Sequence, residues 1–306
     1  MTIIIYERKM TKMKEDVKLH PECIICLTNK YLGKEPVKLG LKERSEYYQA
    51  VLGIISQASL SMSAPEIVAE VSKLQKKMLG VEDDYTEIKK HFNSLMLSKE
   101  SMIEEKTAQS GDALLTAIQY ALLGNYIDFG TLESVDESKL FELLDDASGM
   151  SFDESEYENL KKDLSSAKEL VYLTDNCGEI ALDKLLIKQI KKDYPEIKVN
   201  AIVRGRAVLN DATLDDALQV GLDGVASVCG NGSDIAGTCL DRISSEAMDI
   251  INSADVVIAK GQGNFETMRY CNKNVYYLFL CKCKMFAERF DVPRFSPMLL
   301  NDLRMK

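Results

Sequence analysis

From about residue 168 the chain alternates short apolar runs with amphipathic stretches, and this alternation constrains the fold more than any other feature. Leu170–Thr174 (LVYLT), Lys198–Arg204 (KVNAIVR), Gly224–Cys229, Asp255–Ala259 (DVVIA) and Val275–Leu280 (VYYLFL) read as strands. Ile180–Lys192, Asp211–Val220 and Leu240–Asn252 read as helices between them. Strands separated by helices cannot pair as hairpins. They build a parallel sheet with helices on both faces. The expected fold of residues 166–306 is α/β, a three-layer α/β/α Rossmann-like domain with a mostly parallel, doubly wound sheet.

The first half has a different texture. From about 38 to 165 the apolar periodicity is helical and β-branched runs are few. Ser63-Ala64-Pro65-Glu66 has capping-box spacing, and Ile67, Val68, Val71, Leu74 and Met78 continue an apolar stripe. Ser45–Leu60, Tyr85–Leu97 and Ala113–Leu123 read as further helices. Residues 1–165 are therefore expected to form a helical bundle and cap, with Met62, Met78 and Met96 filling its core.

Composition narrows the function. With 306 residues and 38 Lys/Arg against 48 Asp/Glu, the net charge is −10, which argues against non-specific nucleic-acid binding. Thr131–Asp163 holds eleven acidic residues and three lysines, read as a solvated helix face and loop. The opening MTIIIYERK is too short an apolar run for a signal core or a spanning helix, and Met10 or Met13 is an alternative start. Eight scattered cysteines without a secretion signal suggest reduced thiols and a cytoplasmic protein with no membrane partner.

Polar and glycine-rich segments follow four successive strands: Asp175–Glu179, Arg204-Gly205-Arg206 with Asn210-Asp211, Gly230–Asp234, and Lys260–Asn264. In open parallel sheets ligands sit beyond the carboxyl ends of the strands, so these segments suggest one composite pocket. Asp175, Asn176 and Asp211 are oxygen donors suited to a hard or borderline divalent cation. Lys260 adds a cation beside exposed backbone N–H groups, and helix starts after each loop add partial positive charge. Together these describe a phosphate site.

Other chemistries fail on spacing. There is no GxxxxGK[ST] loop, and the first strand is not followed by GxGxxG. Cys177 stands where an aspartyl-phosphate phosphatase would carry its second aspartate. Only His20 and His91 are present, too few for His-based zinc hydrolysis and read as structural or surface groups.

Six segments together resemble the metal-dependent damage-control phosphatase family, formerly domain of unknown function 89. They are His20–Cys26, Gly124–Gly130 (GNYIDFG), Asp175–Glu179 (DNCGE), Arg204-Gly205 with Leu209–Thr213 (LNDAT), Gly232–Thr238, and Lys260–Glu266 (KGQGNFE). The resemblance spans about 18–285 and is greatest to the microbial branch with an N-terminal CxxC. It implies hydrolysis of phosphomonoesters of small metabolites, either sugar phosphates or damaged phosphometabolites. It also implies metal ligation by Asp175, Asn176 and Asp211, with magnesium, manganese, cobalt or nickel as the candidate ion. Lys260 matches the family's phosphate-pocket lysine. Asn125 and Asp128 fall in a motif that closes the site from the helical half. Glu179, Asn210 and Ser233 are carried as pocket residues, and Asp175 or Glu179 would orient the water. The alternative is an S-adenosylmethionine-dependent methyltransferase or Rossmann-like ligand-binding protein, disfavoured by the missing glycine-rich loop.

Cys23 and Cys26 form one CxxC, half of a structural zinc site or a redox pair, with Cys281 or Cys283 as a further contributor. The alternative is that both are small buried hydrophobes. The family usually continues Lys-Cys-Pro where this chain has Lys282-Cys283-Lys284.

Overall fold

The computed structural model describes residues 17–81, 84–128, 136–145 and 147–305. Eight helices come first: α1 (Pro21–Tyr31), α2 (Leu41–Gln57), α3 (Ala64–Leu79), α4 (Thr86–Leu97), α5 (Glu100–Gln109), α6 (Ala113–Gly124), α7 (Glu137–Asp145) and α8 (Glu154–Ser166). The α/β part follows as β1 (Glu169–Leu173), α9 (Glu179–Asp193), β2 (Lys198–Val203), α10 (Leu214–Val220), β3 (Ser227–Gly230), α11 (Ser245–Ser253), β4 (Val256–Lys260), α12 (Gly261–Met268), β5 (Val275–Leu280), α13 (Lys284–Phe290) and β6 (Pro297–Asn301). The expected start of α3 is present, with Ser63 N donating to Glu66 Oε2 at 2.7 Å.

The sheet order is β3-β2-β1-β4-β5-β6, parallel except for the antiparallel pair β5–β6. Successive residues of each strand face opposite sides. Leu170, Tyr172, Ala201, Ile258 and Leu278 point into one core, shared with Leu182, Leu186 and the helices α4–α8. Val171, Leu173, Ile202, Val257 and Phe279 point into the other, covered by α11, α12 and α13. This is the expected three-layer arrangement.

Four local differences stand out. Helix α9 is buried almost throughout, because α4–α6 cover the face that periodicity alone would leave to water. Its Lys184 is accommodated by Glu100 and by the Val220 carbonyl, each at 2.8 Å. Helices α1–α3 have a separate small core around Tyr47, Val51 and Ile67. In the helical half, Met96 on α4 is fully buried, but Met78 is 41% exposed and does not fill a core. The strand β6 carries no alternation and opens with a proline, so periodicity does not find it. The acidic segment is not merely solvated either: Asp163 Oδ2 accepts from Tyr276 Oη at 2.6 Å, and Arg304 Nη2 donates to Glu156 Oε2 at 2.7 Å. Residues 1–16, which include the alternative starts, and 129–135 lie outside the described residues.

Candidate active site

The strand order reverses direction between β1 and β4, and a crevice at such a switch is where parallel sheets bind ligands. Each strand end delivers a different group. Asp175 and Asn176 follow β1, Arg204 follows β2, Lys260 ends β4, and Lys282 follows β5. The chain after β2 then doubles back. Asn176 and Asp211 form an antiparallel bridge, Ala212 N donates to the Asp175 carbonyl at 2.7 Å, and Cys177 N to the Asn210 carbonyl at 2.8 Å. These backbone bonds set Asp211 beside Asp175. They also delay the start of α10 to Leu214, three residues after the helix expected from Asp211.

One buried guanidinium joins the two aspartates. Arg204 Nε donates to Asp211 Oδ2 at 2.6 Å, Nη2 to Asp175 Oδ1 at 3.2 Å, and Nη1 to Asn264 Oδ1 at 3.1 Å. Asn176 Nδ2 donates to Asp175 Oδ2 at 2.8 Å and to Glu179 Oε2 at 2.9 Å, while Asn210 Nδ2 donates to Asn176 Oδ1 at 3.0 Å. From the end of α6, Asn125 Nδ2 donates to Asp175 Oδ2 at 3.1 Å and to Glu179 Oε2 at 3.0 Å. The Oδ1 of Asn125 accepts from Leu280 N at 3.1 Å, so one side chain locks α6, β1 and β5 together. Gly261 has φ +79°, and a Cβ on it would fall 1.9 Å from Asp175 Oδ2. Glycine alone lets the start of α12 lie against that carboxylate.

The electrostatics are those of a site short of positive charge. Burial, then the neighbouring Asp211 and Glu179, hold Asp175 well above the usual carboxylate range. Burial likewise pushes Asp211 up to about 6, against the pull of Arg204. Two carboxylates and an amide oxygen in this setting fit a divalent cation that favours oxygen donors. Among the described residues no three His, Cys, Asp or Glu side chains cluster to hold an ion, and Asn176 stands beside the aspartates as a further oxygen donor.

Lys260 departs from the sequence expectation. Its ammonium is fully buried and donates to Glu179 Oε1 at 2.7 Å, Asp183 Oδ1 at 2.7 Å and the Ala121 carbonyl at 2.9 Å. Those three bonds use all three N–H groups, leaving none aimed at a phosphate. Burial opposes its charge, but Asp183 and Glu179 outweigh it and the Lys260 pKa rises. Asp183 also accepts from Tyr172 Oη at 2.8 Å. Burial pushes Asp183 up to about 7 even so.

The cation at the edge of the cluster is Lys282, whose Nζ donates to Asp128 Oδ2 at 2.6 Å. Asp128 in turn faces Asp175 and Asp211. Asn125, Asp128, Asp175, Asn176, Glu179, Asn210, Asp211 and Lys260 are thus brought to one place. Ser233 sits in the turn after β3, where its Oγ accepts from Ile235 N at 3.2 Å and its backbone N donates to Asn231 Oδ1 at 2.9 Å. No hydrogen bond joins it to the aspartates among the described residues. Cys23 and Cys26 lie on α1, outside the cluster. His20 caps α1, its Nδ1 accepting from Glu22 N, and His91 pairs with Glu137 on the surface, as expected of structural and surface groups.

Sequence reading puts Arg204 in a pocket segment without a role of its own, and gives none to Asp183 or Lys282. A usable signal existed for each. Arg204 and Lys282 are charged residues directly after apolar strands, and Asp183 lies four residues from Glu179 on the same helix face.

Residues 19–297 match the family profile described as damage-control phosphatase ARMT1-like domain. An uncharacterized protein of Methanocaldococcus jannaschii, MJ0202, is 31% identical over 292 residues, covering 91% of this chain and 93% of its own. Damage-control phosphatase PH1575 of Pyrococcus horikoshii is 28% identical, covering 91% and 96%. A damage-control phosphatase of Archaeoglobus fulgidus is 33% identical, covering 71% and 75%. The crystal structure of a DUF89 family protein, also PH1575 of Pyrococcus horikoshii, superposes with a TM-score of 0.74 at 27% identity, covering 93% of this chain and 99% of that one. None of these supports the methyltransferase alternative. A doubly wound sheet whose switch point gathers two aspartates, an asparagine and three buried cations, over a chain matched almost end to end, makes this protein a member of the ARMT1-like damage-control phosphatase family.

Proposed function

We propose that the protein is a metal-dependent phosphatase hydrolysing phosphomonoesters of small metabolites, sugar phosphates or damaged phosphometabolites, in the cytoplasm. The observation that carries this reading is the pair of buried aspartates beside Asn176, ringed by Arg204, Lys260 and Lys282. Asp175, Asn176 and Asp211 would hold a magnesium, manganese, cobalt or nickel ion. Such an ion, when bound, neutralises phosphate charge and acidifies water.

The chain's own groups divide the remaining work. Glu179 is completely buried, and its carboxylate already accepts from Asn125, Asn176 and Lys260. It therefore orients Asn176 and Asn125 rather than the attacking water. Asp175 keeps 8% of its surface exposed and is the carboxylate placed to orient that water. Lys260 acts one step back, fixing Glu179 and Asp183 against the end of α6. Lys282, buried and held by Asp128 beside the aspartates, is the ammonium able to turn onto a phosphate oxygen. Helix α12, starting at Gly261 against Asp175, aims its N-terminal N–H groups to the same side. Residues 1–165 act as the cap, reaching the site through Asn125 and Asp128, over the α/β/α part at 166–306.

This division is testable at Lys282. Lys282→Ala is expected to lower kcat/KM for a phosphomonoester by roughly 10²-fold or more, the loss typical of one donor to developing charge. Lys282→Arg should recover part of it. Steady-state kinetics on both variants read the outcome, and an unchanged kcat/KM would remove Lys282 from phosphate binding.

A further inference from the structure

A second group of reactive side chains lies behind α12, away from the aspartates. One face of this helix presents Gln262, Glu266 and Arg269, spaced so that they stack along it. Gln262 Oε1 accepts from Lys282 N at 3.1 Å and Cys283 N at 3.0 Å, seating the loop between β5 and α13. At the other end, Arg269 Nη2 donates to the Lys18 carbonyl at 3.1 Å, and Lys18 Nζ donates to the Thr267 carbonyl at 2.6 Å. These bonds seat the segment leading into α1. Glu266, between them, accepts from Gln262 Nε2 at 2.7 Å.

The same helix thus brings the first turn of α1 and residue 283 side by side. Cys23 and Cys283 both pack against the core beneath α12, half-buried. Cys26 is one turn beyond Cys23, on the same side of α1, and is exposed. The electrostatic neighbours agree: Cys23 faces Glu266 and Cys283, and Cys283 faces Glu266 and Cys26. Among the described residues no group of three His, Cys, Asp or Glu side chains gathers to hold an ion.

We infer that Cys26 and Cys283 form a reversible disulfide that ties α1 to the loop carrying Lys282. Exposed Cys26 is the entry point. A peroxide oxidises its thiolate to the sulfenic acid and is itself reduced to water or alcohol. The Cys283 sulfur then attacks that sulfur, forming the S–S bond and releasing the hydroxyl with a proton as water. A thiol reductant reverses the bond by exchange.

The consequence reaches the active site in two steps. Cys283 adjoins Lys282, whose ammonium is fixed on Asp128 beside the aspartate pair. Drawing Cys283 toward α1 pulls the backbone N–H groups of 282 and 283 away from Gln262 and withdraws Lys282 from Asp128. Oxidation is therefore expected to reduce turnover, while the bond itself forms whatever reaction the site performs.

The test uses the full chain treated with hydrogen peroxide, then quenched, with free thiols counted by maleimide mass shift and the bond located by peptide mapping. Two thiols should be lost and the Cys26 and Cys283 peptides joined, with phosphate release falling at least several-fold and returning after dithiothreitol. Cys283→Ser should lose no thiol pair and keep its activity through the same treatment. A bond confined to Cys23 and Cys26, a bond elsewhere, or no loss of thiols overturns the proposal. A mapped bond without any change in turnover overturns the coupling through Lys282. Absence of phosphatase activity before oxidation would instead count against the proposed function, and leaves the thiol mapping decisive for the bond.

Discussion

Asp175→Ala is expected to reduce phosphatase turnover by about 10³-fold, the scale set by removing a group that stabilises charge only as it develops. Asp175 joins every part of the cluster: Arg204 holds one oxygen, and Asn125 and Asn176 hold the other. Without it, a cation loses a ligand and the water loses its orienting carboxylate. The fold should survive. Arg204 keeps Asp211 and Asn264 as partners, and the lost carboxylate was itself costly to bury. Kinetics and thermal unfolding on the same preparation separate the two effects. Turnover within a few-fold of the parent, with unchanged Tm, would show that Asp175 does not touch the reaction.

Lys260→Met should act chiefly on stability. It leaves Glu179 and Asp183 buried with no ammonium between them, and breaking a buried ion pair by removing one partner costs about 3–5 kcal/mol. For a chain of this length that corresponds to a fall in Tm of several degrees. Adding Asp183→Asn to the same protein removes one of the stranded charges and should restore part of the loss, a coupling that a double-mutant cycle reads directly. Among the described residues Asp183 Oδ2 has no hydrogen-bond partner even in the parent, so its amide replacement leaves no acceptor newly unsatisfied there. An unaltered Tm for Lys260→Met would contradict the view that this lysine is a buried structural cation. A loss of activity without loss of stability would return it to the phosphate.

How far the sequence could be read follows from these same residues. The strands β1, β4 and β5 are legible because each is a largely continuous apolar run, the pattern of a strand buried on both faces, and β2 differs by Asn200 within its run. The resemblance of DNCGE, LNDAT and KGQGNFE to one family located Asp175, Asn176, Asp211 and Glu179, since loops after parallel strands are brought together by topology alone. What pattern cannot supply is the direction in which a charged side chain turns. Lys260 follows its strand as a phosphate lysine would, yet it turns inward to Glu179 and Asp183. Arg204 likewise joins Asp211 only because the chain doubles back through Asn210. The helical half was legible as helices, but not the division that leaves α1–α3 with their own core while α4–α6 bury the outer face of α9.

The central claim is that the cluster at the switch point hydrolyses phosphate esters with the help of an oxygen-ligated cation. The most direct measurement is phosphate release from p-nitrophenyl phosphate by fully chelated protein, with magnesium, manganese, cobalt and nickel then returned one at a time. The account predicts no release above background after chelation, and restored turnover with at least one of the four ions. Release that persists undiminished after complete chelation would contradict it.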